Sequence, residues 1–290
     1  MNWASEFLAE ASQINSMSNS FASLKYALTL GSDPQNFLGK WWIPSVLKRL
    51  PQGRRRKWAL RVLSLSPHYF FGDDPGEKTL DENLEVRYSD GLRSRKKICD
   101  LVLSSVLKES DVVLDYGCGP GFLAVNAAKL AKQVKACDKS SGALACAEII
   151  NPAPNLTYVR ADESGLSSIP DAGIDVAYSF AVIQHLTDET FEYVLENCSR
   201  KVRPGGKLVL HIQLGDEVWK SEDEWKADKS VKGKLKFRYG LHCFGRTDER
   251  HRELVEKHGF RDVAIEPLAA EVAAELNGTQ AEAILSATRA

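Results

Sequence analysis

The sequence predicts an α/β fold, a doubly wound and mostly parallel sheet with helices on both faces. Three observations carry that expectation. The stretch VVLDYGCGPGF, Val112 to Phe122, joins a short apolar run to a helical segment through a glycine turn. From Asp111 to Gln213, strand-length apolar runs alternate regularly with helical segments. The second of those runs ends in an acidic residue, Asp138, about 20 positions beyond the glycine turn, the spacing of a ribose-binding carboxylate.

The 290 residues suffice for one large α/β domain with an appendage, or for two small domains. A net charge of −1 with 27% charged residues selects no particular partner. Six cysteines (Cys99, Cys118, Cys137, Cys146, Cys198 and Cys243) are scattered without a C-x-x-C pair, which reads as reduced core thiols and no zinc site. Glu6 and Glu10 stand where a secretory signal would need an apolar stretch, and no apolar run approaches the roughly 20 residues that span a bilayer. The expectation is a soluble, cytoplasmic protein.

Taken in order, Met1 to Ser32 is polar and Ser/Asn-rich, with one or two short helices expected. Asn36 to Gly72 carries Lys40, Lys48, Arg49, Arg54, Arg55, Arg56, Lys57 and Arg61 and no acidic residue. Trp41, Trp42, Trp58, Phe70 and Phe71 are interleaved among them, and Pro44, Pro51 and Pro67 divide the stretch into short helices. Three readings fit this composition: peripheral contact with an anionic membrane or lipid-like substrate, binding of a phosphate backbone, or a helical cap whose aromatics pack inward while its cations face water. Residues 1–92 are thus set apart as an N-terminal helical, basic and aromatic region. Glu77 to Tyr88 reads as an acidic loop, and Arg93 to Lys108 as a helix with an apolar stripe at Ile98, Leu101, Val102, Val106 and Leu107.

Val112 to Leu114 is the first strand, buried on both faces, and Leu123 to Lys132 the helix behind the turn. Val134 to Cys137 is the second strand. Asp138 follows it, and a helix begins in SSGALACAEII. Thr157 to Arg160 and Ile174 to Tyr178 are the third and fourth strands, Leu186 to Val202 a helix, and Lys207 to Gln213 a fifth strand after the turn Pro204-Gly205-Gly206. Gly215 to Cys243 is a charged insertion containing Trp219, Trp225, Phe237 and Tyr239. Thr247 to Lys257 reads as a helix stopped by Gly259, Asp262 to Glu266 as a strand, and the Ala/Glu-rich tail 269–290 as a terminal helix.

The glycine turn is the chemical signal. Glycine permits positive φ and close approach of backbone to a ligand, and a helix start offers free N–H groups. The dinucleotide pattern G-x-G-x-x-G would require a glycine where Phe122 stands. The chain instead reads D-x-G-x-G-x-G, Asp115 through Gly121. Asp138 suits two ribose hydroxyls, a need common to nicotinamide and adenosyl cofactors.

This pattern resembles the first motif of the class I S-adenosylmethionine-dependent methyltransferases, and the resemblance extends in order from Val112 to Gln213. It implies a Rossmann-like, seven-stranded sheet over 93–268, with 215–243 as an insertion or lid and the last two strands as an antiparallel hairpin at the sheet edge. It implies S-adenosylmethionine as cofactor, held at Asp115, Gly117, Cys118, Gly119 and Gly121, with Asp138 and Lys139 at the ribose. Asp162 and Glu163 would serve the adenine. Tyr88 and Arg93 would close over the methionine carboxylate, and Ser179, Phe180 and Gln184 would contact the cofactor from the loop that faces the substrate.

A hydroxyl acceptor must lose a proton, and His185 follows the fourth strand while His211 lies within the fifth, toward the substrate edge, with His242 a third candidate in the insertion. No cluster of carboxylates marks a metal. The loop SFAV lacks the N/D-P-P-Y/F signature of exocyclic-amine methylation, and no cysteine there serves C5-pyrimidine chemistry. The resemblance therefore implies methyl transfer to a small or amphipathic acceptor, most simply a hydroxyl of a sugar, lipid-linked or secondary-metabolite molecule. An RNA or protein methyltransferase docking through 36–72, or a non-catalytic cofactor-binding module, are the alternatives.

Overall fold

The computed structural model describes residues 42–64, 78–215, 220–230, 243–276 and 282–290. The expected short helices of 1–32, together with Trp41, Pro67, Phe70, Phe71, Trp219, Phe237, Tyr239 and His242, lie outside the described residues.

Seven strands form one sheet in the order β3-β2-β1-β4-β5-β7-β6. These are β1 Val112–Tyr116, β2 Gln133–Asp138, β3 Leu156–Arg160, β4 Ile174–Ser179, β5 Val202–Gln213, β6 Phe260–Pro267 and β7 Glu282–Arg289. Neighbours from β3 to β5 run parallel, whereas β7 is antiparallel to both β5 and β6. The chain order reverses between β1 and β4, so a crevice opens beyond the carboxyl ends of these two strands, where open α/β sheets bind ligands.

In chain order the helices are α1 Trp42–Arg49, α2 Gln52–Leu63, α3 Leu80–Leu101, α4 Phe122–Ala127, α5 Ser141–Ile150, α6 Glu163–Ser167, α7 Asp188–Lys201, α8 Glu222–Ala227, α9 Asp248–Lys257 and α10 Ala270–Leu276. One face of the sheet packs Leu208, Leu210 and Ile212 against Phe191 and Leu195 of α7 and Leu254 of α9. The other packs Val113, Val176 and Tyr178 against Ile98 and Cys99 of α3, Leu123 of α4 and Val272 of α10. A third cluster joins Ile43, Leu47, Leu60 and Leu63 of the N-terminal helices to Ala145 and Ile150 of α5. Alternation along β5 explains the two sheet faces: even-numbered residues point one way and odd-numbered ones the other.

Two expectations are corrected. The expected acidic loop ending at Tyr88 is helical over most of its described residues: from Leu80 the chain is already helical and continues through the proposed boundary at 92/93 to Leu101. The cause is a capping box, in which the Thr79 hydroxyl accepts from the Glu82 amide while the Glu82 carboxylate accepts from the Thr79 amide at 2.8 Å. The basic region and the sheet domain therefore share one helix. The tail 269–290 is not a single helix. Among its described residues Ala270–Leu276 is helical, and Glu282–Arg289 enters the sheet as β7, burying Ala283, Leu285 and Ala287 at strand spacing.

A cofactor crevice and the loop that faces it

β1 ends at Asp115-Tyr116 and the chain turns through Gly117, Gly119 and Gly121 with φ of 84°, 51° and 78°, all in the left-handed region. The turn is tied to β2: the Gly117 and Cys118 amides donate to the Cys137 carbonyl at 2.7 and 2.9 Å. The Asp138 carboxylate then accepts from the Gly119 amide at 2.9 Å and from the Ser140 amide at 2.8 Å. A side chain at Gly117 would collide with the loop after β4, since its Cβ would lie 2.5 Å from Val182 Cγ2. At Gly121 a Cβ would lie 2.2 Å from the Tyr158 hydroxyl, which itself donates to the Asn151 carbonyl at 2.9 Å. At both positions of this turn the fold demands glycine.

Asp115 is buried, and the Tyr178 hydroxyl donates to its Oδ2 at 3.1 Å. Burial pushes the Asp115 carboxyl up to about 8; the Tyr178 hydrogen bond opposes the rise, and the nearby Asp138 charge adds to it. Burial likewise raises the Tyr178 phenol well above its ordinary value, so it remains a donor. Tyr178 was legible only as a strand residue. Its bond to Asp115 needs the β1–β4 register, in which the two residues are opposite.

The loop after β4 is fixed from several sides. Ser179 Oγ donates to the Tyr116 carbonyl at 2.7 Å. Phe180 stacks on His211 of β5, with centroids 5.9 Å apart and rings 10° from parallel. The Ala181 amide donates to His211 Nδ1 at 3.2 Å, with Ala181 itself at φ 57°. The far end of the insertion clasps the same loop. The Phe244 amide donates to the Gln184 carbonyl at 2.7 Å, Trp225 Nε1 donates to the Cys243 carbonyl at 2.8 Å, and Cys243 Sγ lies 3.6 Å from His185 Nδ1. Arg246 is buried, donating to the Ile183 and Leu186 carbonyls and pairing with Asp188 at 2.6 Å. Cys243, Phe244 and Arg246 carry no motif, so only the fold reveals this clasp.

The structure thus brings Asp115, Gly117, Cys118, Gly119, Asp138 and the 179–185 loop together at one edge. Lys139 and Glu163 are exposed beside it. Asp162 caps α6, accepting from the Gly165 amide at 2.8 Å and pairing with Arg160 at 2.9 Å. Tyr88 packs against Phe122, the first residue after the glycine turn, with ring centroids 5.5 Å apart. The Tyr88 hydroxyl lies 3.0 Å from the Ile150 carbonyl and 2.9 Å from Asn151 Oδ1 at the end of α5, and Arg93 is an exposed partner of Asp90 at 2.8 Å. Among the described residues no group of three or more His, Cys, Asp or Glu could hold a metal ion, and no helix is long and apolar enough to cross a membrane.

Comparison with known proteins follows this geometry. Residues 114–210 match the family described as "Methyltransferase domain". The chain is 23% identical over 177 residues to a ribosomal protein L11 methyltransferase of Cupriavidus metallidurans, covering 55% of this chain and 55% of that one. It is 34% identical over 97 residues to a ubiquinone biosynthesis O-methyltransferase of Albidiferax ferrireducens, covering 32% of this chain and 38% of the relative. The chain thus spans about half the length, or less, of these curated relatives. Among solved structures, the geranyl diphosphate C-methyltransferase of Streptomyces coelicolor A3(2) superposes with a TM-score of 0.50 at 11% identity, over 74% of this chain and 86% of that one. That last likeness is one of fold.

Proposed function

We propose, from the premise that this chain carries a class I S-adenosylmethionine-dependent methyltransferase domain, that it methylates a hydroxyl oxygen of a small or amphipathic molecule. S-adenosylmethionine is the cofactor of this class and supplies a methyl group already activated on a sulfonium. The residues fit it: a turn that only glycine can make lies between two strand-end carboxylates, Asp115 and Asp138. That juxtaposition is the observation that carries the reading. In it Asp138 accepts from the ribose hydroxyls while holding the Gly119 and Ser140 amides, and Asp162 serves the adenine amino group. His185, at the mouth of the loop after β4, is the group we assign to accept the hydroxyl proton. The oxygen acceptor is favoured by the ubiquinone O-methyltransferase relative, whose name specifies that atom.

Asp138→Ala removes the proposed ribose acceptor and leaves two amides without their carboxylate. The expected result is roughly 10–100-fold weaker binding of S-adenosylhomocysteine by calorimetry, from about 1.5–3 kcal/mol for hydrogen bonds to a charged group. Wild-type protein that releases no heat with this ligand would end the proposal. The acceptor class is tested by incubating the protein with tritiated-methyl cofactor and total lipid, small-metabolite, RNA and protein fractions. Label confined to ribosomal protein would replace the small-molecule reading with the activity that the L11 relative's name describes.

A second reading concerns the basic helices. Lys48, Arg49 and Arg54 make no ion pair among the described residues, and Val46 and Trp58 are 46% and 44% exposed beside them. Other cations of the stretch serve the fold: Arg56 pairs with Glu85 at 2.8 Å, and Arg61 with Asp81 at 2.8 Å. This surface suits anionic phospholipid headgroups. Sedimentation with phosphatidylglycerol-containing vesicles at low salt is expected for the wild type. Loss of about 1 kcal/mol per removed cation, roughly fivefold, is expected for Lys48→Glu and Arg54→Glu. Equal sedimentation with neutral phosphatidylcholine vesicles would contradict it, and a steep salt dependence of RNA retention would favour nucleic acid instead.

A further inference from the structure

His211 does more in this fold than stand at a strand end. It is 1% exposed. Its Nδ1 accepts from the Ala181 amide, so in the neutral ring the proton sits on Nε2 and no ring lone pair remains for a substrate proton. Nε2 faces Glu282 of β7, with Oε2 3.7 Å away, beyond hydrogen-bond distance, and neither of these two buried atoms has a hydrogen-bond partner. On the other side, Ala181 is held at φ 57°, a conformation that an alanine adopts only under constraint. The next residue, Val182, occupies the space that a Cβ on Gly117 would need. A continuous chain of contacts therefore runs from β7 through His211 and the loop after β4 to the glycine turn.

From this geometry we infer that His211 is a positioning residue rather than the proton acceptor. It holds Ala181 in its left-handed conformation, keeping Val182 seated against Gly117 and so setting the floor of the cofactor crevice. The Ala181 amide fixes the Nε2–H tautomer, and the Glu282 carboxylate, 3.7 Å from Nε2, is the buried anion that this N–H faces. The inference rests on the crevice being the cofactor site. It assigns roles to two groups, on β5 and β7, that face each other across a pair of antiparallel strands.

The test exploits the shape of asparagine, whose Oδ1 can stand where Nδ1 stands. His211→Asn keeps an acceptor for the Ala181 amide, whereas His211→Leu keeps the approximate bulk and loses it. Binding of S-adenosylhomocysteine is measured by calorimetry on the full chain, with thermal midpoints recorded for each variant. The expected result is at least tenfold weaker binding for His211→Leu and binding within about threefold of wild type for His211→Asn, although both lose the ring stacking on Phe180. In nitrogen-15 spectra of the wild type, the His211 ring should show a protonated Nε2 and a bare Nδ1. Equal affinities for His211→Leu and wild type, equal losses in both variants, or a protonated Nδ1 in the neutral ring would overturn the inference. If His211→Leu fails to fold, the spectrum and His211→Asn still decide. A wild-type protein that binds no ligand at all would instead defeat the cofactor reading itself.

Discussion

Gly117→Val is expected to abolish S-adenosylhomocysteine binding and to destabilise the fold by about 2–5 kcal/mol. Two costs combine. A residue with a Cβ at φ 84° pays roughly 1–2 kcal/mol for the left-handed conformation. The new carbon would also sit 2.5 Å from Val182 Cγ2, forcing the loop after β4 away from the turn at about 1–3 kcal/mol, the usual range for overpacking. Binding suffers more than stability, because both partners in the collision form the crevice. The two costs separate in a double-mutant cycle with Gly117→Ala and Val182→Ala. Shortening Val182 should relieve the collision and leave the conformational cost, recovering part of the stability lost by Gly117→Ala. Affinity for the ligand within threefold of wild type in Gly117→Val would remove the glycine turn from the binding site.

That turn was legible in the sequence because its requirements are local. Positive φ selects glycine, and a strand, a carboxylate and a helix start flank it within eleven residues. The regular alternation through Gln213 similarly announced the parallel strands. What escaped notice depends on partners distant in the chain. Glu282 lies in a tail whose Ala/Glu content between Ala269 and Glu275 suggests helix, and its strand character emerges only when β5 and β6 offer open edges on either side. Tyr178 looks like any buried strand aromatic until the register sets it across from Asp115. The clasp made by Cys243, Phe244 and Arg246 joins residues about 60 positions apart, with spacing that follows no period. The first turns of the helix Leu80–Leu101, ahead of the stretch from Arg93 that the apolar stripe marks as helical, differ for the opposite reason: their signal, Thr79 and Glu82, is local but sits in acidic sequence that resembles a loop.

Asp115 makes a large pH-dependent contribution to stability between about pH 4 and 8. Its carboxyl, pushed up to about 8 by burial, keeps its proton in the folded chain over a range where the unfolded chain, near 3.8, has released it. Between about pH 4 and 8 the folded state thus binds one proton more, and stability falls with rising pH by about 1.4 kcal/mol per unit from this group. Above 8 both states are ionised and the contribution is constant. His251 acts with the opposite sign. Burial lowers its imidazole from 6.5 to about 4, so between these values the unfolded state binds the extra proton and stability rises with pH. The two slopes offset each other from about pH 4 to 6.5, leaving a net decline from about 6.5 to 8. Burial opposes ionisation of Asp188 and Asp175, but Arg246 and Arg250 lower the first carboxyl and the Val112 amide and Arg203 the second, so both add slopes only below about pH 4. Asp115→Asn retains an acceptor for the Tyr178 hydroxyl and removes the titration. Urea denaturation of the ligand-free variant should therefore show stability rising to about pH 6.5 and level from there to 8, where the wild type declines. Superimposable profiles for the two proteins between pH 6.5 and 8 would mean that Asp115 is ionised in its buried site, and that the strand end presents a full negative charge to the crevice at neutral pH.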